Sequence, residues 1–141
     1  MGEARKVMDR LTDTLTKERD LKALSDLYAE DAVLHTPDRG ELKGRAEIVE
    51  WWREMFEMVP ENRYESLYKH ESGDSAIDEG IWGGENTGPI TMPTGEKLPA
   101  TNKTVRIRGC DAARVENGHI VDHRVYFDQM ELITQLGLAP S

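Results

Sequence analysis

Met8, Leu11 and Leu15 recur at helical spacing between charged residues, which predicts an amphipathic helix over about residues 3–18. Asp20 is placed to cap a shorter helix whose apolar face is Leu21, Leu24, Leu27 and Tyr28. From Asp31 to Thr36 the run Ala-Val-Leu-His is short and β-prone, and Pro37 to Gly44 reads as a loop. A third helix starts at an N-cap on Gly44, with Glu47 three residues on, and stops at Pro60. Ile48, Trp52, Met55, Phe56 and Val59 form one stripe along it, so it packs against something large. Trp51 lies off that stripe, free to face a cavity or a partner.

Beyond Pro60 the period changes to that of strands. Arg63–Glu71 and Ala76–Asn86 flank a tight turn at Ser72-Gly73-Asp74-Ser75. Residues 87–102 carry Gly88, Pro89, Pro93, Gly95 and Pro99 and read as a long loop, a kind of segment that is often functional. Lys103–Val115 and His119–Phe127 follow as long strands joined at Asn117-Gly118, a strong hairpin signal. A last helix runs from Asp128 to about Gln135 and ends at Gly137. Helices first and an antiparallel meander afterwards predict an α+β fold, helices packed on one face of a curved sheet. A sheet curled over helices leaves a conical cavity at its open end, a natural place for a small ligand.

Composition narrows the partners. The 141 residues suit one domain spanning 1–141, and no apolar run approaches the ~18 residues of a membrane span. A net charge of −9 repels polyanions, which argues against nucleic acid. Met1 to Arg10 is charged throughout, without a signal-peptide core, and the lone Cys110 cannot form an internal disulfide; both fit a cytoplasmic protein.

The second half also carries a recognisable string. Gly84-Glu85-Asn86-Thr87-Gly88-Pro89, Pro93-Thr94-Gly95, Pro99-Ala100-Thr101, Asp111 and Arg114 resemble the SnoaL-like polyketide cyclase family. So do Gly118-His119-Ile120-Val121, Tyr126-Phe127-Asp128 and Gln135-Leu136-Gly137-Leu138. That resemblance implies a cone of the nuclear-transport-factor-2-like superfamily, usually dimeric, and cofactor-free ring closure by intramolecular aldol condensation. It places the acid/base carboxylate on Asp128. Two positions depart from the family pattern: Tyr126 stands where cyclases often have His, and Glu85-Asn86 replaces a Thr-His pair.

Each candidate also has an ordinary structural reading. Asp128-Gln-Met-Glu131 is a capping box, so Asp128 is an acid/base, a helix cap, or both. In a regular strand Asp122, Arg124, Tyr126 and Asp128 share one face, and Val121, His123, Val125 and Phe127 the other. If the Asp128 face lines the cavity, the apolar face needs a cover, most simply a second copy; a bulge would undo this. His35 is placed to polarise a substrate carbonyl or to serve as a hydrogen-bonded rim residue. His119 and His123 lie ~13 Å apart on a strand, too far to share a metal ion, and no metal or cofactor is expected. Trp82 and Tyr126 suit the walls of a pocket for a flat aromatic ligand, and equally an ordinary core. Cys110 reads as a structural thiol, Arg106 and Arg108 as an exposed or dimer-side face. Asp111 stands out, because a carboxylate in a long central strand needs a partner.

Three functions fit. The first is a cofactor-independent cyclase-like enzyme on a 1,3-dicarbonyl or aromatic ketide, with Asp128 as acid/base and His35, Trp82, Asn86, Asp111, Arg124 and Tyr126 around the substrate. The second is epoxide hydration by a water held between Asp111, Asp128 and Arg108 or Arg124. The third is a non-catalytic, dimeric binding domain for a small hydrophobic or aromatic ligand.

Overall fold

The computed structural model describes residues 2–139. Helix α1 (Glu3–Asp13) continues into a π-helical turn, Thr14–Glu18, that ends on left-handed Arg19. Thr12, Thr14 and Thr16 each donate a side-chain hydrogen bond to the carbonyl four residues back, a habit that loosens and bends helices. Asp20 caps α2 (Leu21–Leu27) through the amides of Lys22 and Ala23. Helix α3 (Arg45–Met58) starts after Gly44, whose φ of 90° suits glycine, and ends before Pro60. All three helix predictions hold within a residue or two of their ends.

Strands β1 (Tyr28–Thr36), β2 (Gly40–Lys43), β3 (Arg63–Ser72), β4 (Ser75–Glu85), β7 (Thr104–Glu116) and β8 (His119–Phe127) form one sheet, ordered β2-β1-β8-β7-β4-β3. Among the described residues of this sheet only β1 and β8 pair in parallel. Leu11, Leu24, Ile48 and Trp52 of the helices pack on Leu34, Val115 and Ile120 of the sheet. A second cluster, with Val59, Val105, Ile107, Leu132 and Leu136, closes the other end under α4 (Gln129–Gln135).

Two expected loops contain strands. β2 occupies much of Pro37–Gly44, and residues 87–102 hold a small hairpin, β5 (Ile90–Thr91) with β6 (Lys97–Leu98). Asn86 pins that hairpin at its base. Its Nδ2 donates to the Met58 and Gly88 carbonyls, and its Oδ1 accepts from the amide and hydroxyl of Thr101.

The β7–β8 hairpin decides where the chemistry goes. Asn117 and Gly118 are both left-handed, as a two-residue turn requires, and Glu116 pairs with His119. The register then shifts between Arg114 and Val115, so that Asp111 faces Val125 and Ala113 faces His123. An unbroken ladder would have set Asp111 opposite Arg124. The bulge puts Asp111 and His123 on the same side of the sheet.

Candidate active site

The inner face of the sheet has a gap in its side chains. Gly80 and Gly109 are cross-strand partners in the row between Asp78–Asp111 and Trp82–Ile107. The Tyr64 ring fills the space over Gly80, where any Cβ would overlap it. What remains is a cavity of about 120 Å³ between the sheet, α3 and the π-helical turn. An apolar cavity of about 150 Å³ accepts benzene, so this somewhat smaller space is on the scale of a single aromatic ring.

The walls are nearly all apolar. α3 contributes Trp51, Trp52, Met55 and Phe56, and the N-terminal helix contributes Leu11 and Leu15. The hydroxyls of Thr12 and Thr16 are tied to backbone carbonyls. Trp82 donates to Asn62 Oδ1, and Asn62 Nδ2 donates to the Leu15 carbonyl, which fixes the π-helical turn to the sheet. Among the described residues Asp111 is the one carboxylate in the wall.

Asp111 is held from behind by a directed chain. The indole N–H of Trp52 can only donate, and it lies 3.1 Å from the Tyr28 hydroxyl oxygen. The Tyr28 hydroxyl in turn lies 2.8 Å from His123 Nδ1, and His123 Nε2 lies 2.6 Å from Asp111 Oδ2. With Trp52 donating to the Tyr28 oxygen, the phenol proton is placed to go to Nδ1, the arrangement in which His123 Nε2–H donates to Asp111 Oδ2. Burial holds the Tyr28 phenol far above its ordinary range, so it stays a donor. Tyr28 and His123 are both fully buried. Among the described residues His123 is the hydrogen-bond partner of Asp111, which leaves Oδ1 without one in the cavity wall.

Tyr64 supplies a second polar group. Its hydroxyl is buried without a hydrogen-bond partner among the described residues. Burial, reinforced by the charges of Asp111 and Asp78, keeps this phenol protonated as well. Asp78 is separate from the cavity and lies 2.5 Å from Arg5 Nη2. Burial raises the Asp78 carboxyl above its ordinary range despite that arginine. Among the described residues no three His, Cys, Asp or Glu side chains converge as a metal site, and no helix is long and apolar enough to cross a membrane.

Of the residues expected around the substrate, the cavity gathers Trp82, Asp111 and the edge of Tyr126. The expected face of β8 is reversed. His123, Val125 and Phe127 point to the helices, while Arg124 and Tyr126 are exposed on the outer face. The apolar side of β8 is covered by this chain's own core and needs no second copy. Arg124 pairs with Asp122, and His35 Nε2 lies 3.4 Å from that same Asp122. Asn86 has its amide fully engaged by the backbone and Thr101. Asp128 is exposed and away from the cavity; its Oδ1 caps α4 by accepting from the Glu131 amide. Half of the expected capping box forms, because Glu131 is engaged by Gln135 instead.

His123, Tyr28, Trp52 and Tyr64 were absent from the expected site. The signal for His123 was the apolar company of Val121, Val125 and Phe127, since the apolar side of a strand is by default its core side. A histidine there needs partners, as does Asp111, and the two satisfy each other.

Comparison with known proteins agrees with this architecture. A SnoaL-like protein from Jannaschia sp. CCS1 superposes with a TM-score of 0.84 at 14% identity, covering 98% of this chain and 94% of its own. IdmH, a polyketide cyclase candidate from Streptomyces antibioticus, gives 0.78 at 21% identity over 96% and 99%. An LEH-like epoxide hydrolase from M. tuberculosis gives 0.71 at 16% identity over 95% and 89%. At such identities the likeness carries the fold alone. No protein of curated function matches the sequence. The sequence profile of the SnoaL-like polyketide cyclases matches residues 6–136, nearly the whole chain, and the protein belongs to that family.

Proposed function

We propose that this chain is a cofactor-independent, cyclase-like enzyme in which Asp111, rather than Asp128, is the acid/base. The observation that carries the reading is one carboxylate, among the described residues, in the wall of an apolar cavity, held by a buried histidine. Asp111 Oδ1 removes a proton from a carbon acidified by two carbonyls. The Tyr64 hydroxyl donates to the resulting enolate oxygen. The enolate carbon attacks an internal carbonyl, forming the new carbon–carbon bond, and the alkoxide takes the proton back from Asp111. Acid–base help of this kind supplies about 10²–10⁴-fold.

The test is turnover of an aromatic β-keto ester beside a panel of aryl epoxides. Asp111→Asn should lose at least about 100-fold with its melt nearly unchanged. Unchanged turnover in that variant overturns the assignment. Epoxide hydration has less support, because Arg124 and Asp128 lie outside the cavity, and Arg108, which borders it, is exposed and makes no ion pair with Asp111 among the described residues. Ligand binding without turnover by the parent would favour the carrier reading.

We also propose a homodimer, through residues other than those first expected. Tyr68, Glu79, Cys110 and Tyr126 stand in one cross-strand row on the outer face. Tyr68 is 61% and Tyr126 55% exposed, with Ile77 at 40% in the next row. Apolar side chains clustered on one face support a partner surface. Sedimentation should give a dimer that Tyr126→Glu weakens; a monomer at micromolar concentration contradicts it.

A further inference from the structure

A smaller chamber of about 40 Å³ lies between α3, α4 and the β5–β6 hairpin. Trp51, Met55, Phe127 and Leu132 wall both it and the main cavity, so the two spaces adjoin. Their linings differ. The smaller chamber is bordered by Asp38, Glu54, Thr91 and Gln129. Asp38 accepts from the indole N–H of Trp51, and Glu54 pairs with Arg39 at 2.5 Å. Thr91 Oγ1 and Gln129 Oε1 are buried with no hydrogen-bond partner among the described residues. Buried polar atoms are nearly always paired, so these two leave hydrogen-bonding capacity that a bound group or a water would take up. The space suits a very small group, and the polar border is dominated by acceptors.

We propose that this chamber is a second subsite, which receives a compact hydrogen-bond-donating substituent, a hydroxyl, of a ligand whose aromatic ring fills the main cavity. The inference rests on the main cavity being the ring site. It narrows the substrate class to an aromatic compound with a hydroxyl at a fixed reach from the ring. Gln129 Oε1 accepts a hydrogen bond from the hydroxyl, and the Thr91 hydroxyl donates one to its oxygen. Unbranched Met55 in the shared wall can adjust to the connecting atoms.

The experiment measures binding of phenylalkanols, from phenylmethanol to 4-phenylbutanol, beside the matching phenylalkanes, to the parent, Thr91→Val and Gln129→Leu. At one chain length the hydroxyl should tighten binding roughly three- to tenfold over the alkane. Both variants should erase that advantage and leave alkane binding unchanged. Alkanes that bind with no hydroxyl advantage at any length overturn the subsite. So does an advantage that survives both variants, since the hydroxyl is then held by other groups. Failure of both series to bind strikes the main cavity reading instead, and this inference falls with it.

Discussion

The middle of β7 and the junction of β8 with α4 each carry an aspartate, and their surroundings give the two different work. Asp111 sits in the wall of an apolar cavity, with one oxygen engaged by His123. Asp128 is exposed, and its oxygen serves the first turn of a helix. The same side chain is a candidate base in one place and a cap in the other. Distance from the cavity separates them, and so does the partner: a histidine whose far nitrogen is already committed, against a backbone amide.

Exchanging each aspartate should separate the roles most widely. Asp128→Asn keeps a capping side chain and should leave turnover and melt within error of the parent, while Asp111→Asn removes the carboxylate proposed as acid/base and should lose at least about 100-fold in turnover. Next in size is Tyr28→Phe, which removes the phenol between Trp52 and His123. Two buried groups then lack a partner, at about 1–3 kcal/mol each by the usual desolvation penalty. The variant should melt lower, and nitrogen NMR should show His123 no longer held in one tautomer. A single tautomer retained in Tyr28→Phe would remove the phenol from the chain.

Asp128→Ala is smaller: loss of a cap, about 0.5–2 kcal/mol, with turnover preserved in the folded protein. Smallest of all is Glu71→Gln, far from the site. Backbone N–H groups of Arg5 and Gly2 hold the Glu71 carboxyl below its ordinary range. A lowered carboxyl contributes stability that is full above the ordinary value of about 4 and is lost as pH falls through the lowered one. The melts of parent and Glu71→Gln should therefore differ at neutral pH and converge in acid.

Much of the scaffold was legible because its signals are local. Asp20, Gly44 and Pro60 bound helices through caps and a missing donor, and Asn117-Gly118 turns a hairpin through two left-handed residues. The site was legible only in part, for a physical reason. One extra residue at a bulge changes which side chains of β7 share a face with those of β8, and nothing in the run His119–Phe127 marks it. Tyr28 read as the end of a helix's apolar face, yet it opens β1 and reaches His123, 95 residues later in the chain. Asp111 was recognised as a carboxylate in need of a partner; which residue met that need depended on the bulge.

The contrast between the two aspartates comes down to where a carbon-bound proton goes. The direct measurement is exchange of the α-hydrogen of an aromatic β-keto ester into D2O, followed by proton NMR, with parent, Asp111→Asn and Asp128→Asn. The account predicts exchange above the buffer rate for the parent, loss of at least about 100-fold in Asp111→Asn, and retention in Asp128→Asn. Exchange that survives in Asp111→Asn and vanishes in Asp128→Asn would contradict it.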